Sequence, residues 1–185
     1  MIAEWKALCF IAILFAVTGQ SVNSQASDCS NNWQKANTAP VCFGARDTQF
    51  GSFYLPSGGG LVGIKLVHRY GYVSCAVGHP QHWSFWGCGQ HSSLSQEVNV
   101  VITTSDNKII LPPGQLMKKN RAGKWVRVPG YHSASKEIVL TTFSDPYPVL
   151  AGQQLRLWYG EDLQGHTEAD NGGRVCCDVY AQFQT

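Results

Sequence analysis

The stretch Arg174-Val-Cys-Cys-Asp-Val-Tyr-Ala-Gln-Phe183 sets Val175, Cys177, Val179, Ala181 and Phe183 on one side of an extended chain. Apolar residues at a spacing of two describe a strand with one buried face, because successive side chains of an extended backbone point to opposite sides. The same strand carries two adjacent cysteines. A bond between strand neighbours needs a strained ring and a distorted peptide, so no Cys176–Cys177 bond is expected and each must reach a different partner. Cys177 shares the apolar side and is expected in the core, tied to another core strand such as that of Cys75. Cys176 faces the other way, where the N-terminal segment can fold over the sheet.

The two-residue period recurs upstream. Phe50–Leu55 alternates weakly and stops at Pro56 and the turn Ser57-Gly-Gly-Gly60. Leu61–Val67 and Tyr70–Val77 are rich in β-branched and aromatic residues and flank a bend at Arg69–Gly71. Val98, Val100 and Ile102 share a face of Glu97–Thr104, and Ser105-Asp-Asn107 turns that strand into Lys108–Leu111, a hairpin pattern. Leu116–Lys119 and Lys124–Val128 flank Asn120–Gly123 and suggest a second hairpin. Lys136–Phe143 and Gln153–Tyr159 alternate cleanly, the latter with Leu155, Leu157 and Tyr159 together. No stretch after residue 24 shows the 3.6-residue period of a helix. The expected fold is all-β, a disulfide-bonded two-sheet sandwich of jelly-roll type, with a closed barrel as the alternative.

At the other end, Ala7–Val17 is an apolar run preceded by Lys6 and followed by small residues, the pattern of an export signal and short for a membrane span. Residues 1–24 are therefore expected to be a signal peptide, with cleavage after Ser24 or after Gly19. Residues 25–45 are polar and aperiodic, an irregular N-terminal segment, and 46–185 are expected to form a single β domain. Of seven cysteines, Cys9 leaves with the signal. Cys29, Cys42, Cys75, Cys88, Cys176 and Cys177 remain, an even number in an exported chain and so a disulfide framework. The expected location is secreted, extracellular. A second membrane-length apolar segment is missing, as is a hydrophobic tail for a lipid anchor. Losing residues 1–24 removes one lysine and one glutamate, so the net charge stays at +2. That balance argues against a nucleic-acid partner and against the acidic chains that gather mineral ions by bulk charge.

Three segments carry candidate chemistry. In His79-Pro-Gln-His-Trp-Ser-Phe-Trp-Gly-Cys-Gly89, the residues His82, Trp83, Phe85 and Trp86 are candidate ligand contacts, since aromatic faces beside imidazole and amide groups stack on sugars or grip protein surfaces. The bland alternative is a buried loop closing the end of the sandwich. In Tyr159–Gly173, Glu161, Asp162, Glu168, Asp170 and Asn171 offer hard oxygen ligands, making calcium the one candidate cofactor, although the spacing is not that of an EF-hand. Lys118–Arg127 is a basic hairpin, more simply a charged edge that blocks strand pairing than a site for sulfated glycans. Cys75, His79, His82, Cys88 and His91 also invite a zinc reading, which an oxidising compartment disfavours because it pairs the thiols. Gly-x-Ser-x-Gly, His-Glu-x-x-His and P-loop motifs are missing, and adjacent Glu161 and Asp162 are poorly placed to flank one glycosidic bond, so no enzyme is expected.

Three stretches together, Phe50-Gly-Ser-Phe-Tyr-Leu-Pro56, Leu61–Cys75 with Trp86-Gly-Cys-Gly89, and Leu155–Ala181, resemble small secreted proteins of cnidarians. Uncharacterised proteins of the coral skeletal organic matrix are among those they resemble. The resemblance implies an extracellular protein of the matrix kind, and it transfers no functional residue. The near-neutral charge departs from acidic mineral-binding members of such matrices. The expected function is that of a secreted, non-enzymatic extracellular matrix component, of a mineralised skeleton if the resemblance holds, whose partners are matrix macromolecules or glycans. The alternative is a lectin-like or defence carbohydrate-binding module using the Trp83–Trp86 loop, with calcium in the 161–171 segment.

Overall fold

A computed structural model describes residues 32–117, 122–142 and 145–184. The expected signal peptide and Cys29 lie outside them. Ten strands form in chain order: β1 Gln34–Lys35, β2 Val41–Gly44, β3 Gly51–Tyr54, β4 Gly59–Ser74, β5 Val100–Thr104, β6 Ile109–Leu111, β7 Glu137–Thr141, β8 Tyr147–Val149, β9 Gln154–Tyr159 and β10 Gly172–Phe183. They make two antiparallel sheets. In the first, β10 lies beside β4, with β1 and β2 on the outer side of β10 and β7 and β8 on the outer side of β4. In the second, the order is β3-β9-β5-β6. The edges stay open, so the fold is a sandwich and not a closed barrel.

The alternation read from the sequence is what fills the core. Val175, Cys177, Val179 and Ala181 of β10 are fully buried, in one apolar cluster with Ile64 and Leu66 of the neighbouring β4 and with Leu155, Leu157 and Ile102 of the second sheet. The hairpin at residues 105–107 joins β5 to β6 as expected. The bend at Arg69–Gly71 lies within one long strand: Tyr70 pairs with Cys176 and His68 with Cys177, leaving Arg69 as an extra residue. Gly71 there has φ +86°, and a Cβ would run into the carbonyl oxygen of Arg174, so the bulge requires glycine.

Several expectations give way to the tertiary structure. Within the segment expected to be irregular, β1 and β2 add to the outer edge of β10, pairing Cys42 directly opposite Cys176. These two form a disulfide, Cα–Cα 4.0 Å, and Cys75–Cys88 forms a second. Cys177 is the correction: it points into the core, as its register dictates, yet has no disulfide partner among the described residues. Burial, and then the neighbouring charge of Asp178, pushes its thiol far above the ordinary range, while Cys29 lies outside the described residues. Residues 118–121 of the second expected hairpin lie outside the described residues. Leu116 closes a short 3-10 turn over Gly114–Leu116, and Val126 bridges to Val98. A five-residue helix, α1 over Gly160–Gln164, was not expected either; it is too short to show helical periodicity.

Candidate functional site

Between β4 and β5 the chain leaves the sheets for a long loop, residues 75–99, which covers one end of the sandwich. Several devices hold it. The Cys75–Cys88 disulfide closes its first half, and Ser84 exchanges two 2.9 Å backbone hydrogen bonds with Val73. The backbone N–H groups of Phe85 and Trp86 both donate to Ser133 O, and Trp86 Nε1 donates to Ser135 O at 2.7 Å. A separate loop, 132–135, is thereby clamped onto the aromatic stretch. Gly89 makes the turn at φ +23°, where a Cβ would collide with Gln81 O, and Gln90 N donates to that oxygen at 2.8 Å.

This packing divides the four candidate ligand contacts. Trp86 is fully buried, and Phe85 is buried with its ring stacked on His68 at 3.8 Å between centroids. Both serve the core, which corrects their reading as surface contacts. Trp83 remains at the surface with 38% of its area exposed, and His82 is half-buried beside it. Trp83 borders a cleft of about 390 Å³ together with Gln81, Gln90, Ser95, Gln96 and His132. Gln96 and His132 were not singled out in the sequence, since the contact of loop 132–135 with loop 75–99 is long-range.

The cleft's lining holds no Lys, Arg, Asp or Glu. That distinguishes it from the larger cleft of about 670 Å³ between the N-terminal segment and β3, which includes Lys35 and Arg174, and from a third of about 460 Å³ with Lys65 and Glu137. An indole face surrounded by uncharged amide, hydroxyl and imidazole groups suits a neutral ligand rich in hydroxyls: amides donate and accept, and the ring covers apolar C–H surface. Charged clefts select ions instead.

Close by, the rings of His79 and His82 lie 4.7 Å apart and those of His82 and His91 5.0 Å apart. Burial, followed by the charges of His79 and His91, holds the His82 imidazole below its ordinary pKa. Cys75, Cys88 and His82 also present potential metal-ligating atoms to one another, but the two sulfurs are bonded together.

The acidic segment folds in an unexpected way. Glu161 and Asp162 open α1 but are buried, with 6% exposure each. Glu161 Oε1 accepts from Trp125 Nε1 at 2.8 Å and from Thr167 Oγ1 at 3.1 Å, and Oε2 accepts from Asn171 Nδ2 at 2.9 Å. The Glu161 backbone N–H donates to Asn99 Oδ1, and Asn99 Nδ2 donates to Gly123 O. Asp162 accepts from the backbone N–H groups of Thr48 and Gln49 at 2.7 and 2.9 Å. Their carboxylate oxygens thus tie loops together, and buried carboxylates with several donors are structural struts. Asp170 is exposed, while Glu168 sits against Asp162. Burial, then its contact with Asp162, raises the Glu168 carboxyl, and its Oε2 is buried with no hydrogen-bond partner. The basic segment 118–127 falls partly outside the described residues. Among the described residues no helix is long and apolar enough to cross a membrane.

Fold and site together define a small disulfide-bonded antiparallel β-sandwich with an uncharged aromatic cleft built on its end loops. The chain is similar to AJLec from the sea anemone Anthopleura japonica, at 37% identity over 82% of this chain and 97% of that one, with a TM-score of 0.74. The chain belongs to the AJLec family. No protein-family model and no curated protein matches it. The relative is cnidarian, in agreement with the resemblance of residues 50–56, 61–75 and 155–181.

Proposed function

We propose that this protein is a secreted, non-enzymatic glycan-binding protein of lectin type. The observation that carries the reading is the relationship to AJLec, whose name marks it as a lectin, over nearly the whole of that chain. It favours the carbohydrate-binding alternative over the skeletal-matrix one. The Trp83 cleft is the site this reading favours, because its neutral amides and exposed indole match a hydroxyl-rich, uncharged ring. Its lining offers no carboxylate pair and no thiol, so it suits binding without turnover. Two disulfides support an oxidising, extracellular setting. Of the acidic residues 161–170, Glu168 keeps one buried oxygen without a hydrogen-bond partner, and the chelator arm of the test below asks whether binding needs calcium.

The test is a glycan array probed with the oxidised protein, with calcium and with chelator, beside Trp83→Ala and Gln90→Ala. Trp83→Ala is expected to cost about 2 kcal/mol, roughly thirtyfold in affinity, as for other central aromatic anchors. Glycan binding that survives Trp83→Ala moves the site to another cleft. The lectin reading itself falls if no glycan is bound under either condition.

A further inference from the structure

We propose that the cleft of about 460 Å³ on the outer face of the first sheet binds a small zwitterion, a molecule carrying an anionic group and an alkylammonium group. Lys65 of β4 stands opposite Val139 of β7, and Glu137 lies two residues along β7, opposite Val67. Ile138 and Leu140 point into the core, so Lys65, Glu137, Val139 and Thr141 share the outer face. Side chains at such diagonal positions across a strand pair are close enough to interact, and a lysine and a glutamate there ordinarily meet. Here they stay apart: neither takes part in the ion pairs found among the described residues.

The aromatic neighbours of Lys65 account for this. Its ammonium lies 5.1 Å from the ring centroid of Trp33 and 5.1 Å from that of Tyr180. Trp33 is itself held against the sheet, since a Cβ on Gly63 would come within 3.3 Å of its indole. Ring faces attract a cation without neutralising it. Lys65 is therefore half-buried, fixed in place and still able to receive an anion. Thr141, on the side of Lys65 away from Glu137, adds a hydroxyl donor for the same group.

The other end of the cleft has the opposite character. Tyr131 lines it beside Glu137 and feels that carboxylate: burial first, and then the charge of Glu137, raises its phenol above the ordinary value. A carboxylate next to an aromatic ring attracts an ammonium both by its charge and by the ring face. Lys65 and Glu137 are the only charged residues in the lining. A lone anion would be repelled by Glu137 and a lone cation by Lys65, whereas a zwitterion satisfies both, with its alkyl link against Val139 and Trp33. The Trp83 cleft has no charged lining, so the two sites select different chemistry.

The experiment is calorimetric titration of the oxidised protein with phosphocholine, and separately with choline chloride and with inorganic phosphate. No glycan is present, so failure here and failure of the lectin reading are distinguishable. One saturable phosphocholine site is expected, at least about tenfold tighter than for either half of the molecule, and weakened at least about tenfold by Lys65→Met and by Glu137→Gln. Glu137 is exposed, so its variant keeps the fold even if Lys65→Met does not. Co-sedimentation with phosphatidylcholine vesicles, lost in both variants, marks the zwitterion as a lipid headgroup; phosphocholine binding without co-sedimentation marks it as a soluble molecule. Three results overturn the proposal: no saturable phosphocholine uptake, choline or phosphate alone bound as tightly as phosphocholine, or an affinity that Glu137→Gln leaves unchanged.

Discussion

The two disulfides close loops of very different length, and that difference sets a measurable order of stabilities. Cys42–Cys176 spans 134 residues and Cys75–Cys88 spans 13. In the chain-entropy description the longer closure removes about 5 kcal/mol of unfolded-state freedom and the shorter about 3 kcal/mol, so their loss should differ by roughly 2 kcal/mol. Packing losses are matched, because each bridge joins one buried sulfur, Cys176 or Cys88, to one half-buried partner. Residual structure in the unfolded chain lowers both values without inverting them. The perturbation is a pair of double variants, Cys42→Ala with Cys176→Ala and Cys75→Ala with Cys88→Ala. Each removes both partners, so no orphan thiol is left to seek Cys177. Urea unfolding at 25 °C should show the first variant less stable, with the steeper denaturant dependence because its unfolded chain is freer to expand. Equal losses, or a greater loss from the short bridge, would refute the reasoning and place the stabilisation in local packing.

Three further outcomes follow from named contacts. Gly89→Ala puts a Cβ against Gln81 O at a positive φ, and should cost about 1–3 kcal/mol and weaken binding at the Trp83 cleft; wild-type affinity would show that the 81–90 turn does not shape the cleft. Trp125→Phe deletes a donor to the buried Glu161 carboxylate and should cost about 2–3 kcal/mol by urea unfolding, whereas a negligible change would mean Glu161 is satisfied without it. Asp178 is the pH case. Burial by itself raises its carboxyl, but hydrogen bonds from Asn37 and Lys35, with the charges of Lys35 and Arg69, outweigh this and hold it below the ordinary value. A lowered folded pKa gives stability that is present above the unfolded value, about 3.9, and is lost as pH falls through the folded one. Asp178→Asn should therefore flatten the acid side of the stability curve below about pH 4, and an unchanged slope would show that other carboxylates govern it.

Much of the fold was legible because a strand writes its orientation locally. Val175, Cys177, Val179 and Ala181 are fully buried in the core, as their shared parity assigns, although the intervening Cys176 and Asp178 are also buried. The turn at Ser105–Asn107 needed only its own residues and their flanks. The candidate site was legible in part: Trp83 stands at the surface, but Phe85 and Trp86 two and three positions on do not. Nothing in an aromatic run says which ring will find a pocket. That was decided by His68 on β4, which stacks on Phe85, and by Ser133 and Ser135, which capture the Trp86 backbone and indole.

The acidic loop shows the same division. Its oxygen-rich composition predicts a hydrated, ion-binding turn, yet Glu161 is enclosed by Trp125, Thr167 and Asn171, and Asp162 by the backbone at residues 48 and 49. Sequence by itself determined the strand character of the chain, the faces of its strands and the impossibility of a Cys176–Cys177 bond, because each follows from the period of an extended backbone. Only the tertiary structure decided that Cys42 meets Cys176, that Cys75 meets Cys88, that Cys177 stays unpaired among the described residues, and that Gln96 and His132 complete the Trp83 cleft. Those outcomes depend on which distant segments lie side by side, and no local period encodes that.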